Sequence, residues 1–457
     1  MRASESYAAV PYEGGTYPQT HPDILATVSS LVGLRPAPPS RCRVLDIGCA
    51  DGANLLGMAA YLPDSEFVGI DVAPNQIATG EALRAAAGLS NVSLLTADLR
   101  DPPDLGQFDY IIAHGIYSWI PTAARASLLT LCGQWLAPQG VAYVSYNTLP
   151  GWHTQRVVRD LMRFHARSFS DPTEIVSQAR AIVGFAAKAS ASPLYRSYAA
   201  YLSILPDDYL FHDHLETNNE AFYLHEFIDH ARGHGLQYLG DAELHRSLDL
   251  NFPEPTRGML HQLTDDPVVM EQYLDFLTDR TLRRTLLCHA AVPLSREVDR
   301  DWVSGLEVAL PLTEVSEQDG ATAYHRPGIP EDMVLAQTPS QRAIFETLRA
   351  VWPCSLPLGA LPPEAPELLL ACALRGFAEL RTWSAPIVRH ASARPRVAPL
   401  VRAQAERGLP LTNALLQRIA LPPADLALVA RLDGTHAPED AQRPFVDKLG
   451  WMGLLLS

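Results

Sequence analysis

Lysine is nearly absent from this sequence. Lys188 and Lys448 are the two lysines among 36 basic residues, and the other 34 are arginines. High-GC coding explains that imbalance without a functional reading. No stretch reaches the ~20 apolar residues needed to span a bilayer. The N-terminus carries no apolar signal region. No membrane partner and a cytoplasmic location are therefore expected. The six cysteines, Cys42, Cys49, Cys132, Cys288, Cys354 and Cys372, make no C-x-x-C pair. That argues against a zinc site and a disulfide framework, and for reduced thiols. Positive charge is in deficit too, with 51 acidic against 36 basic residues and a net charge of −15. Nucleic acid and anionic lipid are not expected as general partners. A basic acceptor, such as an amine or a Lys/Arg-rich peptide, would suit this surface. A purely solubilising role suits it equally.

What is present is sufficient for two or three domains, since the chain has 457 residues and is 47% hydrophobic. Its organising stretch is 44–71, VLDIGCADGANLLGMAAYLPDSEFVGID. An apolar strand at 44–47 runs into a turn bracketed by Gly48 and Gly52. A helix at 54–61 and a second strand at 67–70 come next, closing on Asp71. This is the first half of a doubly wound nucleotide-binding sheet. Asp71 lies 19 residues after Gly52, where a carboxylate can accept both hydroxyls of a ribose. The pattern Asp46-x-Gly48-x-x-x-Gly52 is not the dinucleotide fingerprint. Ala50 takes the middle slot, and Asp46 precedes the turn. A carboxylate there suits a ligand with an ammonium group. Nucleoside plus amino acid is S-adenosylmethionine.

Residues 46–52, Asp71 and Ala97-Asp98-Leu99 resemble motifs I, II and III of the Rossmann-type S-adenosylmethionine methyltransferases. A narrower set is Tyr17-Pro18-Gln19-Thr20-His21-Pro22, His114-Gly115-Ile116-Tyr117-Ser118-Trp119-Ile120-Pro121 and Tyr146-Asn147-Thr148-Leu149-Pro150-Gly151-Trp152-His153. It resembles bacterial methyltransferases with a methyltransferase regulatory domain, a family that includes protein-lysine methyltransferases. Arg283-Arg284-Thr285-Leu286-Leu287-Cys288 and Leu432-Asp433-Gly434-Thr435 extend the likeness. The resemblance implies S-adenosyl-L-methionine as cofactor and an amino-group acceptor in a protein or peptide. The expected cofactor residues are Tyr17, His21, Asp46, Gly48, Cys49, Ala50, Gly52, Asn54, Asp71, Val72, Gln76, Ala97, Asp98, Leu99 and His114.

Further strands are read at 92–95, 110–113 and 141–146, with helices at 74–87 and 122–135. The expected class is α/β, a Rossmann-like methyltransferase sheet with a helical insertion and a C-terminal α+β winged-helix-like domain. An N-terminal arm, 1–40, contains Tyr7 and Tyr12 and a helix at 22–34, and would cover the cofactor. The cofactor-binding core is 41–153. Residues 154–222 form the insertion, helical throughout 154–205, as a lid or a homodimer contact. The chain returns to the sheet over 223–292, with a sixth strand ending near 239 and a last one at 283–290. A proline-bearing linker, 293–339, leads to the C-terminal domain at 340–457. Helices are expected there at 341–352 and 367–380, with a strand at 381–389.

Ligands of such sheets sit at the carboxyl ends of the strands. The catalytic candidates there are His114, Tyr117 and Trp119 after strand 4, and Tyr146 and Asn147 at the end of strand 5. Acids crowd 207–229 without Lys or Arg, and Glu216 is the preferred carboxylate to meet a cationic acceptor. A solvated helix start accounts for most of the others. No metal site is expected, because His212-x-His214 is an unspecific spacing. No Asn/Asp-Pro-Pro-Tyr motif occurs, which leaves the acceptor atom open. A free basic amino acid or natural-product intermediate is the alternative acceptor. A cofactor-binding regulatory scaffold is the non-enzyme alternative.

Overall fold

Strand β1, Arg43–Ile47, has four of its five residues buried. Burial on both faces is what a parallel strand between helical layers requires. It pairs in parallel with β2, Glu66–Asp71, and with β4, Phe108–Ala113. Strands β3, Val92–Thr96, and β5, Leu136–Asn147, complete the parallel part. β6, Leu236–Asp241, and β7, Leu282–His289, close the edge, with β7 antiparallel to both of its neighbours. The order is β3-β2-β1-β4-β5-β7-β6. Strand order reverses between β1 and β4, so their carboxyl ends open a crevice. The computed structural model describes residues 14–295, 300–312, 314–318, 320–326 and 329–457. Tyr7 and Tyr12 of the expected arm lie outside the described residues. Among those described, no helix is long and apolar enough to cross a membrane.

The connecting helices are Ala53–Ala59, Pro74–Ala87 and Thr122–Trp135. Pro74 opens its helix and Gly88 ends it at φ +65°, as expected from the ring and the missing Cβ. The insertion is not one continuous helix. Pro172 and Pro193 each start a new one, giving Gly151–Ala166, Pro172–Ala189 and Pro193–Ile204. Asp171 and Ser192 cap the second and third by accepting from Glu174 N and Leu194 N. Val158, Met162, Val176, Ala179, Val183 and Leu202 give the insertion its own small core.

The return to the sheet rests on a buried ionic layer. Arg283 on β7 donates to Asp275 at 2.7 Å and to Glu271 at 2.9 Å, and Arg280 pairs with Asp241 at 2.7 Å. The Arg283 bonds tie β7 to helix Pro267–Thr278, and Arg280 ties the turn after that helix to β6.

The C-terminal third differs from its sequence reading. Residues 293–339 are not a plain linker. Glu307–Ala309 lies between Leu356–Pro357 and Glu379–Arg381 in a three-stranded antiparallel sheet. Glu314–Gln318, Ala321–Arg326 and Ile329–Ala336 form another. Leu306, Val308, Leu310 and Tyr324 share a core with Ile344, Phe345 and Leu369. The prolines punctuate short strands there, and strands of three to six residues leave little periodicity. Helix Pro339–Val351 lies where expected, while the helix expected over 367–380 is Ala365–Leu374 and the end of that span is strand Glu379–Arg381. The strand expected over 381–389 stops at Arg381. Two helices and a strand follow in the expected order, but the middle strand of their sheet comes from the expected linker. Beyond it, Ile387, Val397, Val401, Val429, Val446 and Leu455 belong to a separate core, so 340–457 is not one unit.

Candidate active site

The turn after β1 is built on left-handed backbone: Gly48 at φ +76°, Ala50 at +50° and Gly52 at +72°. A Cβ on Gly48 would meet Ile116 Cδ1 at 2.1 Å. Glycine is needed there for both reasons. Ala50 has no such freedom and is held by a bond. Its N–H donates to Asp71 Oδ2 at 2.9 Å, while Asp71 Oδ1 accepts from Ala73 N at 2.8 Å. Burial raises the Asp71 pKa against these backbone bonds. Asp46, deeper at the end of β1, is pushed up to about 7 by burial, opposed by a hydrogen bond to Asn54 and reinforced by the charge of Asp71.

Residues 17–23 form a strap across this turn. Tyr17 N donates to Asn54 Oδ1 at 3.0 Å, and Asn54 Nδ2 donates to Thr20 Oγ1 at 2.9 Å. The Tyr17 ring lies 3.8 Å from that of His114 at the end of β4. His114 Nδ1 meets Tyr143 Oη at 2.9 Å. Burial, and then the Arg284 charge, lower the His114 pKa to about 3. The imidazole is therefore neutral in water near pH 7.

A cavity of about 1110 Å³ joins these parts. It exceeds the ~300–1,000 Å³ of an ordinary ligand pocket. One wall carries the expected Tyr17, Asp46, Gly48, Cys49, Ala50, Asn54, Asp71, Val72, Gln76, Ala97, Asp98, Leu99, His114, Trp119 and Asn147. The opposite wall comes from the helical insertion and the turn after it: Trp152, Gln155, Tyr201, Tyr209, His212 and Asp213. Arg284 of β7 also reaches the cavity. Asp98 is paired with Arg100.

Five expected residues are placed elsewhere. His21 caps helix Pro22–Leu31, its Nδ1 accepting from Asp23 N at 3.1 Å, and stacks on Trp383 at 5.3 Å. Gly52 caps helix Ala53–Ala59 and shapes the turn without facing the cavity. Tyr117 is 2% exposed, bonded through Oη to His230 Nδ1 at 2.7 Å. Residues 116–119 are a turn, with Trp119 N donating to Ile116 O. Trp119 and Tyr117 therefore do not share a face as they would on a strand. Tyr146 points to the other side of β5 from Asn147, stacked on Phe227 at 4.2 Å and bonded to Thr285 at 3.0 Å. Glu216 Oε1 sits 3.4 Å from His212 Nδ1 and does not line the cavity.

The carboxylate that does line it is Asp213, three residues earlier. The acidic run contained it, but nothing in the sequence selects it. A π-helical turn, Leu210–Leu215, sets which side chains face inward. Tyr201 lies in the insertion and Tyr209 at the head of the acidic run, and nothing in the sequence turns either toward the crevice. Glu216→Gln is accordingly expected to leave acceptor kcat/KM within about fivefold of wild type: the side chain lies outside the cavity, Gln keeps its shape, and the weakened contact with His212, 3.4 Å away, is worth ~1 kcal/mol. Steady-state kinetics check this, and a large loss would return Glu216 to the site.

Residues 45–142 match a family model described as a methyltransferase domain, and 206–289 match one described as a predicted methyltransferase regulatory domain. The chain is 36% identical to the uncharacterized protein RP028 of Rickettsia prowazekii over 234 residues, half of this chain and 94% of that one. It is 35% identical to RP789 of the same organism over 357 residues, 75% of this chain, and spans 64% of that relative's length. The structure of PKMT2 from Rickettsia typhi superposes with a TM-score of 0.86 at 26% identity, over 98% of this chain and all of that one. A structure of PKMT2 in complex with AdoHcy gives 0.84 at 28% identity, over 96% and 91%.

Proposed function

We propose that this chain, which belongs to the S-adenosylmethionine-dependent methyltransferases with a methyltransferase regulatory domain, methylates lysine side chains of a protein or peptide. The observation that carries the reading is the two-walled cavity, with the cofactor motifs on one wall and aromatics and a carboxylate on the other. Likeness over nearly the whole length to PKMT2 from Rickettsia typhi accords with the resemblance to a family that includes protein-lysine methyltransferases, and supports the acceptor class.

The residues present fit the cofactor. The left-handed turn leaves no room for a Cβ at Gly48. Asp46 would face the amino-acid ammonium, Asp71 the ribose hydroxyls, and Asp98 and Leu99 the adenine. When bound, S-adenosylmethionine supplies a methyl group on a positive sulfur. The acceptor's lone pair forms the N–C bond as the C–S bond breaks, and that electron pair stays on sulfur. Little acid–base work is needed beyond removing the acceptor's proton. The protein's contribution is alignment and exclusion of water. Tyr17 and Trp119 line the cavity on the cofactor side, and neutral His114 adds no charge to repel a cation.

The test is incubation with S-adenosylmethionine and lysine peptides, arginine peptides or the free amino acids, read by product mass and S-adenosylhomocysteine release. Methylated lysine peptide is expected. Turnover of the free amino acid alone would replace the peptide reading. Cofactor binding with no acceptor-dependent product would favour the scaffold.

A further inference from the structure

Among the described residues, four carboxylates line the cavity: Asp46, Asp71, Asp98 and Asp213. Three have partners on the cofactor wall. Asp46 is bonded to Asn54, Asp71 to two backbone N–H groups, and Asp98 to Arg100. Asp213 stands on the opposite wall, its side chain 19% exposed. The His214 ring nitrogen 3.3 Å away is no cation, because burial lowers that imidazole to about pKa 4. The nearby Arg159 guanidinium donates to the Glu216 carbonyl. Tyr201 and Tyr209, hydrogen-bonded to each other, line the same wall. The Tyr201 ring stands edge-on to His214 at 6.2 Å. A carboxylate among phenol rings attracts an alkylammonium ion by charge and by the ring faces. It gives a neutral or acidic group no comparable gain. A π-helical turn holds Asp213 in place, and such turns recur at functional sites.

We propose that Asp213, with Tyr201 and Tyr209, forms the subsite for the acceptor's ammonium group, the end of a lysine side chain. This rests on the lysine reading above and adds the group that receives the substrate. The ammonium donates to the Asp213 carboxylate. As the N–H bond breaks, the proton passes to that oxygen. The freed lone pair forms the N–C bond, the C–S bond breaks toward sulfur, and the carboxyl group then releases its proton to water. Burial supports the role by raising Asp213 to about pKa 7, with Arg159 opposing. A carboxylate near neutrality is a better proton acceptor than an ordinary one. The charged and titratable groups facing it are Arg159, Tyr198, Tyr201, Tyr209 and His214.

The test uses the full chain saturated with S-adenosylhomocysteine. Nα-acetyl-lysine methylamide and its norleucine counterpart are titrated by calorimetry. Wild type is expected to bind the lysine compound at least ~10-fold more tightly, about 1.4 kcal/mol. Asp213→Asn should erase that preference and raise the KM of a lysine peptide about tenfold, with S-adenosylhomocysteine affinity unchanged. In wild type the preference should fade as pH drops through 7, where the carboxyl group protonates. This arm needs no variant. A wild-type preference that is constant on both sides of pH 7, or one that survives in Asp213→Asn, overturns the proposal. The two readings fail separately. Methylated lysine peptides without the ammonium preference sink the subsite alone. The preference without methylation of any lysine peptide sinks the reaction reading alone.

Discussion

Asp71→Ala is expected to weaken binding of S-adenosylmethionine by about 2–3 kcal/mol, roughly 30- to 150-fold. Two losses combine. The first is the charge-assisted pair to the ribose hydroxyls. The second is internal: Asp71 Oδ2 accepts from the Ala50 N–H at 2.9 Å. A non-glycine residue in the left-handed region costs roughly 1–2 kcal/mol, and at Ala50 that bond helps offset the cost. Without it the turn can relax out of the shape that brings Gly48 to the ligand. Asp71→Asn keeps one acceptor oxygen and should fall between the two. Calorimetry with S-adenosylhomocysteine measures the effect, with thermal melting to verify the fold. Unchanged affinity in a folded Asp71→Ala would remove this carboxylate from the cofactor site.

A chain ending at residue 295 is expected to lose its cooperative fold, and cofactor binding with it. All cofactor motifs lie before Trp152, so the sequence alone suggests an independent catalytic half. The packing contradicts that division. Leu400, Ala403 and Leu416 belong to the same core as Leu55, Leu56 and Met58, on the helix just after the cofactor turn. A Cβ on Gly57 of that helix would lie 2.7 Å from Leu416 Cδ2. Tyr61 Oη donates to Thr412 O at 3.1 Å. The strap depends on the C-terminal region too. Asp23 Oδ1 accepts from Thr382 N at 2.6 Å, Thr382 Oγ1 at 2.8 Å and Trp383 N at 3.1 Å. Burying Leu400 and Leu416 contributes on the order of 3–6 kcal/mol, a large part of the ~5–15 kcal/mol that holds a domain together. Circular dichroism melting and S-adenosylhomocysteine calorimetry check this. A soluble truncation that melts and binds like the full chain would restore the domain division.

The legible parts share a cause. At β1 and β2, and at Gly48, Asp71 and Gly88, the residue type is imposed by backbone geometry within a few positions, so a local reading reaches it. The catalytic candidates divide between the cavity and the core. Trp119 and Asn147 face the cavity while Tyr117 and Tyr146 pack beneath it. A turn at 116–119 sends Tyr117 and Trp119 in different directions, and Tyr146 takes the face of β5 opposite Asn147. His21 has the right neighbourhood but a capping job. In the acidic run, moving from Glu216 to Asp213 is a matter of one helical turn, below the resolution of any charge count.

The succession of strands and helices over 41–153, the glycine turn, the acid at the end of β2 and the cofactor class were determined by the sequence itself, because each rests on contacts between near neighbours. Tertiary structure alone decided the second wall of the cavity, the choice of Asp213, and the union of 382–457 with the cofactor half. These join residues from 150 to more than 350 positions apart, such as Asp213 with the β1 turn and Thr382 with Asp23. Side-chain direction and packing complementarity at such separations leave no periodic trace along the chain, so only the folded arrangement shows which groups meet.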